Sequence, residues 1–218
     1  MFSRENDFDA VLLPIAAQYG VDPALVKGII GAESQFNPNA QGDVGLGGGS
    51  MGLMQVNFAT AQGMGFTGQA TDLLDPNLNI EFGTRVLLGA LQQTGGDWGA
   101  AASVYNGGYR PTIGFGKPVA TDTTVALHAG GSRVVPAGQY FNQAYVTQVL
   151  RYAAYFQSQA PTPDASASPD PTSQSGDVNI GGASLDGSLA VALAILAAAV
   201  ALAYNQFRRK RGTSRRAT

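Results

Sequence analysis

Apolar residues recur at helical spacing through most of the first 159 positions, broken by glycine and proline signals. The best-signalled element is "DPALVKGIIGAESQF". Asp22 stands as an N-cap, Pro23 opens the first turn, and Asn37-Pro38 is the expected stop. Within it Val26, Ile29 and Ile30 precede Glu33 by seven, four and three residues. On a helix these positions share a face, so a carboxylate falls in line with the residues that bury the element. Three readings stand at this point: a costly accident, a structural charge paired with Lys27 or Arg85, or a carboxyl group kept from water for chemistry.

A second helix is expected over "DPNLNIEFGTRVLLGALQQTGG", with Ile80, Leu87 and Leu91 on one face and Gly95-Gly96 as its end. "DWGAAASVYNGG" predicts a shorter helix. "QYFNQAYVTQVLRYAAYFQS", 139–158, predicts a long amphipathic one in which Tyr145, Val149, Tyr152 and Phe156 align. Between these, "TTVALHAGGSRVVP" reads as a small β-hairpin turning at Gly130-Gly131. The stretch "QGDVGLGGGSMG", 41–52, reads as a loop.

The pattern changes after residue 159. Residues 160–186 are rich in Pro, Ser, Asp and Gly, a composition that buries too little surface to order itself, so a flexible linker is expected. Residues 187–207, "GSLAVALAILAAAVALAYNQF", carry no charge over 21 positions. As a helix this spans about 31 Å, enough to cross a bilayer core. A transmembrane helix is the expectation, and a buried alanine-rich helix is the alternative. The basic tail 208–218, "RRKRGTSRRAT", follows directly and suits anionic lipid headgroups.

Charge sharpens this division. The formal net charge is only −2, yet six of the thirteen Lys and Arg residues lie in the last eleven positions. Residues 1–207 keep seven basic against fifteen acidic groups, a net of −8. An acidic body is a poor nucleic-acid binder. Cysteine is absent, which removes disulfides, zinc-thiolate sites and cysteine nucleophiles. The single histidine, His128, rules out a histidine metal cluster and is expected on the hairpin surface. No metal or cofactor is expected. Acidic residues 5, 7 and 9 and Pro14 make the N-terminus unlike a signal peptide.

Five separated segments then line up: "ESQFNPNA" (33–40), "GLMQ" (52–55), "DPNLNIEFG" (75–83), "YNGG" (105–108) and "QAYVTQV" (143–149). In order and approximate spacing, across roughly residues 10–157, they resemble the soluble lytic transglycosylase family. The resemblance implies a mainly α, lysozyme-like domain over 1–159 carrying the small hairpin. It implies that Glu33 is the single catalytic acid. It places Gln55, Tyr105 and Asn106 along the cleft, with Tyr145 as the tyrosine of the last helix motif. Ser50, where alanine is usual, and Met54 complete the expected substrate-binding set. For Met54 the choice between cleft wall and core stays open, as does that between packing and cleft for Tyr145.

The family cleaves the β-1,4 bond between N-acetylmuramic acid and N-acetylglucosamine in peptidoglycan, closing a 1,6-anhydro ring without water. Such chemistry asks a carboxylic acid to hold its proton at rest, which desolvation favours. The same group must then accept a proton from the C6 hydroxyl. Hydrolysis would instead call for a second carboxylate about 5–9 Å away. Asp43, Asp72 and Asp75 are the candidates. Asp72 and Asp75 read better as turn and cap residues, whereas Asp43 sits in the glycine-rich loop. Two departures from the family pattern stand out: its Glu-Thr pair before the last helix motif is Phe141-Asn142 here, and 111–138 has no clear counterpart.

These readings give a membrane-anchored peptidoglycan lytic transglycosylase whose partners are glycan strands and, through 187–207, a lipid bilayer. The basic tail is assigned to anionic lipid or DNA. A signal-less, tail-anchored wall enzyme suits the internal membrane of a bacteriophage particle. The bacterial inner membrane, within a conjugation or secretion apparatus, is the other setting. A muramidase and a non-catalytic wall-binding module are the rival functions.

Overall fold

A computed structural model describes residues 2–42, 48–127 and 129–160. The linker, the apolar segment 187–207 and the basic tail lie outside these residues, as do Asp43 and His128. Among the described residues, no helix is long and apolar enough to cross a membrane.

The chain runs α1 (Asp9–Tyr19), α2 (Pro23–Glu33), β1 (Gln41–Gly42), β2 (Ser50–Met51), β3 (Val56–Asn57) and α3 (Phe58–Gly63). A 3-10 turn (Ala70–Leu74) leads to α4 (Pro76–Gln93) and α5 (Trp98–Gly107). A second 3-10 turn (Pro111–Ile113), β4 (Thr123–Ala126), β5 (Ser132–Val135) and α6 (Gln143–Gln159) complete it. The mainly helical expectation holds, and so do the capping predictions. Asp22 accepts from the Ala24 N–H at 2.8 Å, and Asp75 accepts from Asn77 and Leu78 at 2.9 and 3.1 Å. Asp97 caps α5 through Ala100 at 2.6 Å. Each cap satisfies N–H groups that the first helical turn leaves without partners.

Several boundaries differ from expectation. Helix α2 stops at Glu33, short of Asn37-Pro38, because Gln35 and Phe36 turn the chain through left-handed conformations (φ 53° and 64°). The Phe36 ring, fully buried, anchors that turn. Helix α6 begins at Gln143, four residues later than the pattern suggests. The described ends of the glycine-rich stretch are strands: β1 pairs with β2, and β2 with β3, in a three-stranded antiparallel sheet of order β1-β2-β3, with Gln41 opposite Met51 and Met51 opposite Val56. Strands of two residues are too short to show alternation in sequence. Helix α1, which holds Pro14, was also hidden by its proline.

The hairpin forms as expected, with Thr123 opposite Val135 and Ala126 opposite Ser132. It closes over a small separate core of Val119, Val125 and Val135. The main core gathers α1, α2, α4 and α6 around fully buried Leu12, Leu25, Ile29, Ile30, Ile80 and Leu87. Helices α2 and α6 make the most extensive packing. Their approach depends on Gly28: a Cβ there would lie 2.9 Å from the Val149 carbonyl oxygen and 3.2 Å from the Ala153 Cβ. That closeness brings the end of α2 against the start of α6.

Candidate active site

Glu33 is the last residue of α2 and is half-buried. The Tyr145 hydroxyl, from the first turn of α6, donates to its Oε1 at 2.5 Å. Neither cation proposed as its structural partner is engaged in that role. Lys27 pairs with Asp9 at 2.7 Å and donates to Asn6. Arg85 donates to the Met64 carbonyl and stacks on Phe82. Among the described residues the Tyr145 hydroxyl is the group seen donating to the carboxylate.

Tyr105, near the end of α5, donates to the Met54 carbonyl at 2.7 Å. Burial raises its pKa well above the usual tyrosine value, and the Glu33 charge adds to the effect. Tyr145 is raised likewise, first by burial, then by the Glu33 charge and the hydrogen bond to it. Both hydroxyls thus keep their protons beside a carboxylate and act as neutral donors. Tyr145 does both kinds of work within the chain: its hydroxyl bonds to Glu33, and its ring packs against the core.

Met54 is fully buried, so its side chain belongs to the core; its backbone does the local work by receiving Tyr105. The Met54 side chain packs on Gly83, where any Cβ would lie 2.4 Å from Sδ. Gln55 adopts φ 47°, and its Nε2 donates to the carbonyls of Ala40 and Gly52 at 3.1 and 2.9 Å. It ties the segment after α2 to the GLMQ turn. Ser50 lies in β2, half-buried, opposite Asn57. Asn106 is exposed, and its Oδ1 accepts from Asn142 at 2.9 Å. Asp72 accepts from the Gln69 N–H at 2.7 Å, so it and Asp75 serve turn and cap as predicted.

Gln35, Phe36 and Gln55 are the non-glycine residues with positive φ among those described. All three flank Glu33 or the turn that supports Tyr105. Such backbone costs about 1–3 kcal/mol per residue and persists where the surroundings dictate it.

Sequence reasoning missed the residue that fixes this turn. Asn79 of α4 is fully buried. Its Nδ2 donates to the Met51 and Leu73 carbonyls at 2.6 and 2.7 Å, and its Oδ1 accepts from the Met54 N–H at 2.7 Å. Gly52, at φ 72°, has no room for a Cβ, which would fall 2.4 Å from Asn79 Nδ2. The available signal was an asparagine between Leu78 and Ile80 on an apolar helix. Among the described residues no cluster of His, Cys, Asp or Glu is able to hold a metal.

This architecture is shared with lytic transglycosylases: over 72% of the chain it superposes on lytic transglycosylase Slt from Pseudomonas aeruginosa, with a TM-score of 0.50 at 23% identity, covering 25% of that protein. Residues 13–117 match the family described as "Transglycosylase SLT domain". A protein of Enterobacteria phage PRD1 named "Transglycosylase" is 40% identical over 93 residues, which is 43% of this chain and 32% of that protein. Membrane-bound lytic murein transglycosylase C of Edwardsiella ictaluri is 36% identical over 105 residues, 42% of this chain and 28% of that protein. The chain thus aligns with about a third or less of each relative's length.

Proposed function

We propose that this chain is a peptidoglycan lytic transglycosylase in which Glu33 acts as both acid and base. The observation that carries the reading is the Glu33 carboxyl held by Tyr145 inside an SLT domain. Glu33 gives its proton to the oxygen bridging N-acetylmuramic acid and N-acetylglucosamine, and the bond from muramoyl C1 to that oxygen breaks. The Glu33 carboxylate then takes the C6 hydroxyl proton as O6 bonds to C1. The 1,6-anhydro ring closes, and no water is consumed. Hydrogen bonding from a neutral tyrosine stabilises the carboxylate between the two steps, since a donor to an ionised acceptor makes a strong bond. Gln55, Tyr105 and Met54 support the site's shape, while Asn106 and Ser50 stand as glycan contacts.

We further propose that 187–207 anchors the enzyme in a membrane and that the catalytic domain serves local wall penetration by a phage particle. The uncharged 21-residue stretch and the similarity to the phage PRD1 protein support this. The basic tail would then meet anionic lipid or packaged DNA.

The test is incubation of the full chain with purified peptidoglycan, followed by mass analysis of the soluble fragments. Anhydro-muropeptides are expected. Reducing-end products would identify a muramidase, and binding without release would leave a wall-binding module.

A further inference from the structure

Asn142 stands just before α6, at the N-cap position, yet its side chain makes no capping bond. It reaches across to α5 instead. Nδ2 donates to the Ser103 carbonyl at 3.1 Å and to Asn106 Oδ1 at 2.9 Å. Oδ1 accepts from the Ser103 hydroxyl at 2.7 Å. The Gly116 N–H donates to the same hydroxyl oxygen at 3.1 Å. Ser103 itself is fully buried.

Two backbone groups fix the direction of this network. A backbone N–H only donates, so Gly116 takes one lone pair of Ser103 Oγ, and the hydroxyl keeps its proton to give to Asn142 Oδ1. The Ser103 carbonyl decides which end of the Asn142 amide lies where. A backbone carbonyl only accepts, so the Asn142 atom at Ser103 O is nitrogen. The second proton of that nitrogen meets Asn106, whose near atom is then oxygen. The remaining end of the Asn106 amide is Nδ2, which makes no hydrogen bond among the described residues and belongs to an exposed side chain.

We infer that Asn142 is a positioning residue that sets the polarity of the Asn106 amide, so that two N–H donors face outward to receive an acceptor oxygen of the glycan. The strongest acceptor on an N-acetylated strand is the amide carbonyl of the N-acetyl group. A surface asparagine without such a partner presents either end with little preference. Here only donors are offered, and the residue responsible stands where the family pattern has Glu-Thr. The identity of the ligand rests on the proposed function; the amide polarity rests on geometry alone.

The test uses the full chain with a tetramer of β-1,4-linked N-acetylglucosamine, and with its fully N-deacetylated counterpart, by calorimetry. High ionic strength screens the general attraction of amines to an acidic domain. Asn142→Asp removes the donor, so Asn106 turns its nitrogen inward and exposes oxygen. Asn106→Asp keeps an oxygen toward Asn142 but loses the outward donors, at an exposed site where folding is not at risk. Each variant is expected to weaken binding of the acetylated tetramer about five- to tenfold, the loss of one good hydrogen bond. Each should also erase the preference for acetylated over deacetylated ligand. A wild-type chain with no affinity for the tetramer, or with no preference for acetyl groups, would overturn the inference. So would Asn142→Asp with a lowered melting temperature and an intact acetyl preference, because that is a purely structural role. A chain that binds the tetramer with this preference but releases nothing from peptidoglycan would sink the catalytic reading and leave this one standing.

Discussion

Glu33 and Asn79 are both polar residues set into apolar helix faces, and the fold uses them in opposite ways. Asn79 sits within α4, fully buried, and places both N–H groups and its oxygen on backbone atoms of the segment 51–73. Nothing of it remains for a ligand. Glu33 sits at the very end of α2, half-buried, and meets a tyrosine hydroxyl from another helix. A closed set of bonds to main chain makes scaffold, because a buried amide is tolerated only when every bond is made. A carboxylate at a helix end beside a neutral tyrosine donor is, in the proposed reading, placed for proton transfer.

The strongest way to break this contrast is to exchange what each residue supplies. Glu33→Gln keeps an oxygen for Tyr145 but has no proton to give. Turnover of peptidoglycan should fall at least a hundredfold, in line with the size of general acid–base effects. Thermal unfolding of the variant should match the parent. A Glu33→Gln chain with substantial turnover would remove Glu33 from the mechanism.

Asn79→Ala should do the reverse. It strands one N–H and two carbonyls in the core and should cost about 4 kcal/mol of stability, read from denaturant midpoints. The fraction that remains folded at low temperature should retain activity. A variant that is stable but inactive would make Asn79 part of the chemistry and erase the distinction.

Tyr145→Phe tests the meeting point between helices. Removing one donor to the carboxylate should lower kcat about tenfold while leaving KM nearly unchanged, the sign of an interaction gained in the transition state.

The smallest effect concerns alkaline pH. Tyr105 and Tyr145 hold their protons well above the usual tyrosine range. The unfolded chain releases them near pH 10. The folded state therefore binds more protons above that pH, and stability present below about pH 10 is lost as pH rises further. Tyr145→Phe should show a shallower loss in denaturant midpoints measured between about pH 9 and 12. Parallel curves for the variant and the parent would show that Tyr145 titrates as an ordinary surface tyrosine.

Much of this molecule was legible in advance, for identifiable reasons. The helices α2 and α4 announced themselves because Asp22 and Asp75 are caps, and caps are local chemistry. The hairpin was legible because alternation and a Gly-Gly turn are local as well. The three-stranded sheet was not, since Gln41, Ser50 and Val56 pair across the chain in stretches too short to carry a period. Helix α6 starts at Gln143, later than its apolar pattern suggests, and the Asn142 side chain just before it is bonded to Ser103 and Asn106.

The site divides along the same line. Residue order alone placed Glu33 on an apolar stripe and, by resemblance, among Gln55, Tyr105, Asn106 and Tyr145. It left Glu33 with ion pairing to Lys27 or Arg85 as a live alternative, and left Met54 and Tyr145 undecided. Those matters depend on which helix meets which. The small residue Gly28 lets α6 close on α2, and this approach brings Tyr145 against Glu33 while Lys27 turns to Asp9. Periodicity and caps fix what each segment becomes, because they act within a few residues. The partners of a buried polar group are set by packing between segments far apart in the chain, and only the tertiary structure decides them.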